Sequence, residues 1–190
     1  MLVAMLVAIL AGVVTVAAAI NVIKYPNTIL SKISDEVSNN DTSLEKIVTE
    51  LIYTATLNEN CIGLAAPQIG YNKRIIFVKN VADNEFHIFT KRPSYYIMIN
   101  PTITFKSEET YIYKEGCLSF PAVYEIVKRP KEIEVSYYDI NFQKQTLHAK
   151  NLMSTCIQHE IDHLDGIMFI DRVSSMRRNR SLKRYNQMKR

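Results

Sequence analysis

Apolar residues return at helical spacing between residues 44 and 55, where Leu44, Ile47, Val48, Leu51, Ile52 and Ala55 share one face. Thr42 followed three residues later by Glu45 predicts a capping box at the start of this helix. The pattern fades near residues 58–60, just before a glycine-bearing loop. The chain then turns β-like. RIIFVKN (74–80) and YIMINPTITF (96–105) are dense in β-branched and aromatic residues. In EIEVSYYDI (132–140), Glu132, Glu134 and Ser136 alternate with Ile133, Val135 and Tyr137, the period of a half-buried strand. DINFQ (139–143) reads as a hairpin turn into KQTLHAK (144–150). A second helix is predicted from Asn151, as its cap, to Leu164, with Gly166 as terminator. Its apolar face would hold Leu152, Met153, Cys156, Ile157, Ile161 and Leu164. A final helix is expected over 173–190, and a short extended segment with a turn at Pro26-Asn27 should precede the first helix. The layout is α+β: antiparallel strands folded around a central helix, with an N-terminal and a C-terminal helix.

Composition adds two features. The 190 residues carry a net charge of +4, yet eight Lys/Arg and no Asp/Glu fall between Arg172 and the C-terminus, leaving 15 basic against 19 acidic residues before it. A basic tail on an acidic body points to an anionic partner. The first twenty residues carry no charge, and Lys24 is the first charged side chain. This stretch is long enough to cross a bilayer, which takes about 20 apolar residues, but it lacks a basic n-region. We therefore read 1–21 as an extension (targeting leader, membrane anchor or artefact), 22–172 as the main folded domain and 173–190 as a basic helix. Three cysteines, at 61, 117 and 156, make an odd count without scaffold spacing and favour a reducing compartment. The expected location is cytoplasmic, or membrane-tethered or organelle-targeted if the extension is genuine.

The chemistry concentrates in CIQHEIDHLDG (156–166). Four residues apart on a helix, His159 and His163 face the same way and could grip one ion, with Glu160 angled toward a bound water. The alternative is a surface helix with a chance pairing. The pattern H-E-x-x-H suggests a zinc peptidase, but such enzymes take a further Glu or His downstream. None follows here; only Asp165 and Asp171 remain. Upstream, KEGCLSFP (114–121) places Cys117 in a tight Gly116-Cys117 turn. A lone cysteine is ordinarily a small buried hydrophobe. As a ligand beside two histidines, however, it would complete a tetrahedral site with its fourth place open, the catalytic arrangement. In CIGLAAPQIG (61–70), Gly63, Ala65 and Ala66 let backbone approach a ligand closely, and Gln68 offers an amide donor. His87 and His148 lack partnering motifs and read as structural, and Cys156 as core or pocket lining.

GLAAPQIG, EGCLSFP and QHEIDHLDG, in this order, resemble the three signature motifs of the peptide deformylase family, over residues 22 to about 190. The resemblance implies antiparallel sheets surrounding a central metal-binding helix. It implies that Cys117, His159 and His163 bind one divalent metal, Fe²⁺ in cells with Zn²⁺, Ni²⁺ or Co²⁺ as surrogates. Glu160 would be the general acid/base, and Gln68 with the Leu118 backbone N–H would stabilise an oxyanion. Ile62, Gly63 and Gly116 would lie along the substrate, a nascent formyl-methionyl peptide, and the C-terminal helix would contact the ribosome; no DNA binding is implied. The rivals are a metallopeptidase cleaving internal bonds and a non-catalytic ribosome-associated protein with a structural metal. One departure stands out: the family usually has glycine two residues before Gly63, where this chain has Cys61, the other thiol that could be considered as a ligand.

Overall fold

The computed structural model describes residues 7–10, 13–16, 21–81 and 94–188, with side chains from residue 21 onward. In chain order its elements are β1 (Val7–Leu10), β2 (Val13–Val16), α1 (Leu44–Leu57), β3 (Gly63–Ala65), β4 (Ile75–Lys79), β5 (Tyr95–Lys106), β6 (Thr110–Cys117), β7 (Phe120–Pro130), β8 (Glu132–Tyr138), β9 (Lys144–Lys150), α2 (Asn151–Leu164) and α3 (Ser175–Met188). Single 3-10 turns occupy Thr28–Ser31, Ala66–Ile69 and Phe169–Arg172. Most of the extension's twenty residues lie outside the described set, as does His87; β1 and β2 pair antiparallel with each other. No described helix is long and apolar enough to cross a membrane.

A five-stranded antiparallel sheet, ordered β3-β4-β5-β8-β9, forms the middle layer. Strand β4 explains the architecture. Ile75 and Phe77 pack toward α1 with Ile47, Leu51 and Ile99. Ile76 and Val78 pack toward α2 with Met98, Ile133 and Ile157. A strand covered on both faces reads as a continuous apolar run, which IIFV is. Strand β8 buries only Ile133, Val135 and Tyr137 and so alternates, as its sequence predicts. Strands β6 and β7 form a separate two-stranded ribbon. Beneath it, Phe120, Val123 and Val127 meet Phe169, Ile170 and Tyr185 of α3 in a third apolar cluster.

The element ends differ from the sequence expectation at two caps. The Thr42–Glu45 box does not form: the residue before α1 is Ser43, without a side-chain cap bond. Asp41 supplies the local order instead, accepting from Ser43 N at 3.0 Å and Ser43 Oγ at 2.5 Å. Nor does Asn151 cap α2. It is the first helical residue, at φ 51°, a region asparagine tolerates, and its amide donates to Lys131 O at 2.8 Å. At the other end Gly166 terminates α2 at φ 71°, where a Cβ would meet the Ser31 carbonyl at 2.8 Å. The 139–143 turn is built by Asp139, whose carboxylate accepts from the amides of Asn141 (2.9 Å) and Gln143 (3.0 Å).

Helix α2 departs most from a simple amphipathic pattern. Every residue from Met153 to Leu164 is buried, polar ones included, because the sheet covers one side and the β6–β7 ribbon the other. Fully burying Ile157 or Leu164 stabilises by about 1.5–3 kcal/mol each. The polar face buries Gln158, His159, Glu160, Asp162 and His163, and each such group costs stability unless it is partnered.

Candidate active site

Three segments converge on the polar face of α2. The segment 61–70 enters through β3, at the edge of the central sheet. Cys117 ends β6, at a register shift opposite Phe120, so the chain reverses through Leu118 and Ser119 immediately after it. This hairpin reversal, rather than a turn centred on Gly116-Cys117, fixes the thiol. Helix α2 brings His159 and His163 one turn apart, with ring centroids 5.1 Å apart and nearly perpendicular. The Sγ of Cys117 lies 3.2 Å from His163 Nε2. One ligand atom each from Cys117, His159 and His163 falls within 4.8 Å of the others. This is the spacing that three donors to a single ion need, and a Cys/His/His set leaves a tetrahedral ion one open position.

Glu115 Oε2 lies 2.7 Å from His159 Nδ1. A carboxylate only accepts, so Nδ1 carries a proton and Nε2 is the ring nitrogen left toward the Cys117 thiol. Glu115 is in turn gripped by Arg129, through Nε to Oε1 at 2.6 Å and Nη2 to Oε2 at 3.0 Å. The remaining Arg129 nitrogen, Nη1, donates to Asp162 Oδ2 at 2.8 Å, and Arg172 pairs with the same carboxylate from the outer side. Sequence reasoning missed this chain. Glu115, Arg129 and Asp162 carry no short-range spacing that links them, and the one local signal is that Glu115 adjoins Gly116-Cys117.

The electrostatics follow from burial and these partners. Burial pushes the Glu115 carboxyl up, but hydrogen bonds from His159 and Arg129 outweigh it and hold the group down at about 2. Burial likewise opposes ionisation of Cys117, yet the charge of His163 and hydrogen bonds from both imidazoles hold its thiol well below the ordinary range. Glu160 is pushed up to about 7, foremost by burial, with the neighbouring imidazoles pulling the other way. A carboxyl poised near neutrality exchanges protons readily at physiological pH. Its Oε2 is buried without a hydrogen-bond partner among the described residues, the mark of a group placed for use rather than for stability.

The site opens into a cavity of about 420 Å³. Ile62, Gly63 and Glu160 line one wall and Gly116, Leu118 and Tyr124 another, with Gln68, Cys117 and His159 also on its surface. Among the residues that the motifs single out, His163, 1% exposed behind Cys117, is off the cavity wall, and so are Ala65 and Ala66, which are buried in the core instead of meeting a ligand as their small side chains suggested. Gln68 is locked by Ala65 N donating to its Oε1 at 2.8 Å. Its Nε2 is thereby aimed at Ser119 Oγ, 3.1 Å away, and at Cys117 Sγ, 3.5 Å away. Gly63 is required by close approach: a Cβ there would collide with the Glu160 carboxylate and lie 2.8 Å from Cys156 Sγ. Cys61 is 6% exposed and turns its thiol onto Gly63 O at 3.1 Å. Burial pushes that thiol up to about 12, and Cys61 falls outside the Cys117, His159 and His163 group. Cys156 donates to Ile62 O at 3.3 Å, as a lining residue should. His148, exposed on β9, pairs with Glu132 at 3.2 Å, far from this chemistry in the fold.

Comparison with known proteins places this geometry. The family model described as polypeptide deformylase matches residues 19–179. The peptide deformylase of Pelagibacter ubique is 38% identical over 169 residues, 89% of this chain and 94% of that one. Peptide deformylase 1 of a Nostoc species is 41% identical over 154 residues, 81% of this chain and 75% of that one. The crystal structure of the Ehrlichia chaffeensis peptide deformylase in complex with actinonin superposes with a TM-score of 0.80 at 33% identity, covering 91% of this chain and 99% of that one. From its motifs, its α+β fold and this relatedness over most of its length, the chain belongs to the polypeptide deformylase family.

Proposed function

We propose that this chain is a hydrolase that removes the N-formyl group from the N-terminal formyl-methionine of nascent polypeptides. The observation that carries the reading is the meeting of Cys117, His159 and His163 within 4.8 Å beside the cavity-lining Glu160, whose Oε2 has no hydrogen-bond partner among the described residues. Cys117, His159 and His163 would hold one divalent metal, which when bound supplies Lewis acidity and an acidified water. The donor chemistry suits Zn²⁺ or Fe²⁺, and Fe²⁺ is our proposal for the cell, with Zn²⁺, Ni²⁺ or Co²⁺ as replacements.

The protein's own residues do the rest. Ile62 and Gly63 on one wall and Gly116 on the other present backbone to an extended peptide, placing its formyl group over the ligand cluster. Gln68 Nε2 and the Leu118 N–H donate to the formyl oxygen as charge builds there; losing one such donor typically costs about 10²–10³ in rate. Glu160 takes a proton from the attacking water and delivers it to the departing amine. The C–N bond of the formamide breaks, the water oxygen joins the formyl carbon, and formate and a free α-amine result. The test is to incubate metal-loaded protein with a formyl-methionyl peptide and measure formate and free amine. Their equimolar appearance supports deformylation; cleavage at an internal bond favours the peptidase reading, and neither product favours a non-catalytic role.

Helix α3 carries a second proposal, contact with ribosomal RNA. Its arginines are not all available, since Arg177 pairs with Glu125 and Arg178 with Asp171. Arg180, Lys183 and Arg184 remain exposed, with little aromatic interleaving for base reading. Binding to phosphate through these groups should weaken steeply with salt, which co-sedimentation with ribosomes at increasing ionic strength would measure.

A further inference from the structure

The segment before the first motif touches both loops that carry the proposed oxyanion donors. Ile23 N donates to Gln68 O at 2.8 Å, and Tyr25 N donates to Ser119 O at 2.9 Å. Lys24, between them, is therefore fixed in backbone position relative to the 66–70 turn and the 118–119 reversal at once. The residue as a whole is exposed, yet Nζ donates to Leu118 O at 2.7 Å and the side chain lines the same cavity as Glu160 and Cys117. The strap is secured from behind. The Tyr25 ring meets Phe120 and Tyr185 edge-on at 5.2 and 5.9 Å, and Tyr185 Oη of α3 donates to Tyr25 O at 2.9 Å.

Resting on the deformylase reading, we infer that Lys24 is a positioning residue: its ammonium, bonded to the Leu118 carbonyl, fixes the 118–119 turn so that the Leu118 N–H faces the reacting formyl oxygen. A charge-assisted bond to a main-chain carbonyl is stronger than a neutral one and orients the peptide it holds. The same cation adds favourable potential where negative charge develops. Burial lowers the Lys24 pKa while the charge of Cys117 raises it, so the ammonium and the ligand thiolate lie within electrostatic reach of each other. Because the oxyanion exists only in the transition state, the contribution should appear in kcat and leave substrate binding largely untouched.

The experiment compares wild type, Lys24→Met and Lys24→Arg, each loaded with one equivalent of the same divalent metal and checked for metal content and melting temperature. Steady-state formate release from a formyl-methionyl peptide is the readout. Lys24→Met should lose about tenfold in kcat, a fraction of what an oxyanion donor itself contributes. Its KM should stay within about twofold, and Lys24→Arg should recover most of the rate because it keeps the charge. The inference is overturned if Lys24→Met matches wild type, if its loss lies in KM, if Lys24→Arg is as impaired as Lys24→Met, or if lost metal accounts for the whole decline. Wild-type protein that releases no formate would instead overturn the functional reading itself.

Discussion

Arg129→Met is the perturbation that probes most of the site's construction at once. Arg129 is 4% exposed and places three of its nitrogens on two carboxylates, Glu115 and Asp162, which are themselves buried. Methionine approximates the stem but, among the described residues, leaves Glu115 to His159 and Asp162 to Arg172. Breaking a buried pair by removing one partner costs about 3–5 kcal/mol, because the surviving charge stays desolvated. For a domain of this size each kcal/mol moves the melting temperature by roughly 2–4 °C, so the variant should melt about 6–20 °C lower. The second consequence lies at His159. With Glu115 no longer clamped by Arg129, the carboxylate that orients the imidazole is free to shift, and weakening such an outer partner typically costs about 10–100-fold in metal affinity. Differential scanning calorimetry and a competitive metal titration measure the two effects. The double variant Glu115→Gln/Arg129→Met should be more stable than Arg129→Met alone, since the orphaned charge is gone. A melting point within about 3 °C of wild type, together with unchanged metal affinity, would refute the argument that this network supports the ligands.

Other substitutions separate the remaining parts. Gly63→Ala should leave the fold intact but displace Glu160, lowering kcat by about 10²-fold, as a misplacement of around 1 Å can do; an unimpaired variant would contradict the close approach at Gly63. Asp41 is held down at about 2, first by the Ser43 side chain and then by Lys73, so its contribution is present above the unfolded carboxylate range and lost as pH falls through about 4 to 2. Because the pair sits at the surface, where solvent screens it, that contribution should be below about 1 kcal/mol, seen as a wild-type advantage over Asp41→Asn that shrinks on acidification in chemical denaturation. In metal-free protein at neutral pH, iodoacetamide should modify Cys117 first, whereas Cys61 and Cys156, whose thiols burial pushes up, should resist. Added divalent metal should protect Cys117; equal labelling of all three cysteines, read by peptide mass mapping, would contradict the ligand assignment.

What could be read from the sequence divides along physical lines. Helix α2 was legible through to its C-terminal end because His159, His163, the apolar stripe and Gly166 each act at fixed short spacing, whereas its start, where Asn151 is helical and caps nothing, was not. Strands β4 and β8 were legible because burial on two faces or one leaves a different period. The β6–β7 ribbon was only half legible. Its exposed face carries Ile112, Tyr124 and Ile126, while its covered face carries Glu115, Glu125 and Arg129, which inverts the usual pattern. Those buried charges are tolerated because Arg129 answers Glu115 and Asp162 across 14 and 33 residues and Arg177 answers Glu125 across 52, separations that no local pattern records. The failed cap at Thr42 has a similar cause, since Asp41 competes for the same backbone and is also held by Lys73 at 2.9 Å. Lys24 carried no signal at all; only the folded chain brings it to Leu118, 94 residues away.

The central claim is that Glu160, beside a Cys/His/His ligand set, performs proton transfer in formamide hydrolysis. The direct measurement is formate release from a formyl-methionyl peptide by wild type and Glu160→Gln, each carrying one bound divalent metal as verified by elemental analysis. Glu160→Gln should retain the metal and lose about 10²–10⁴-fold in kcat. Undiminished formate release by metal-loaded Glu160→Gln would contradict the account.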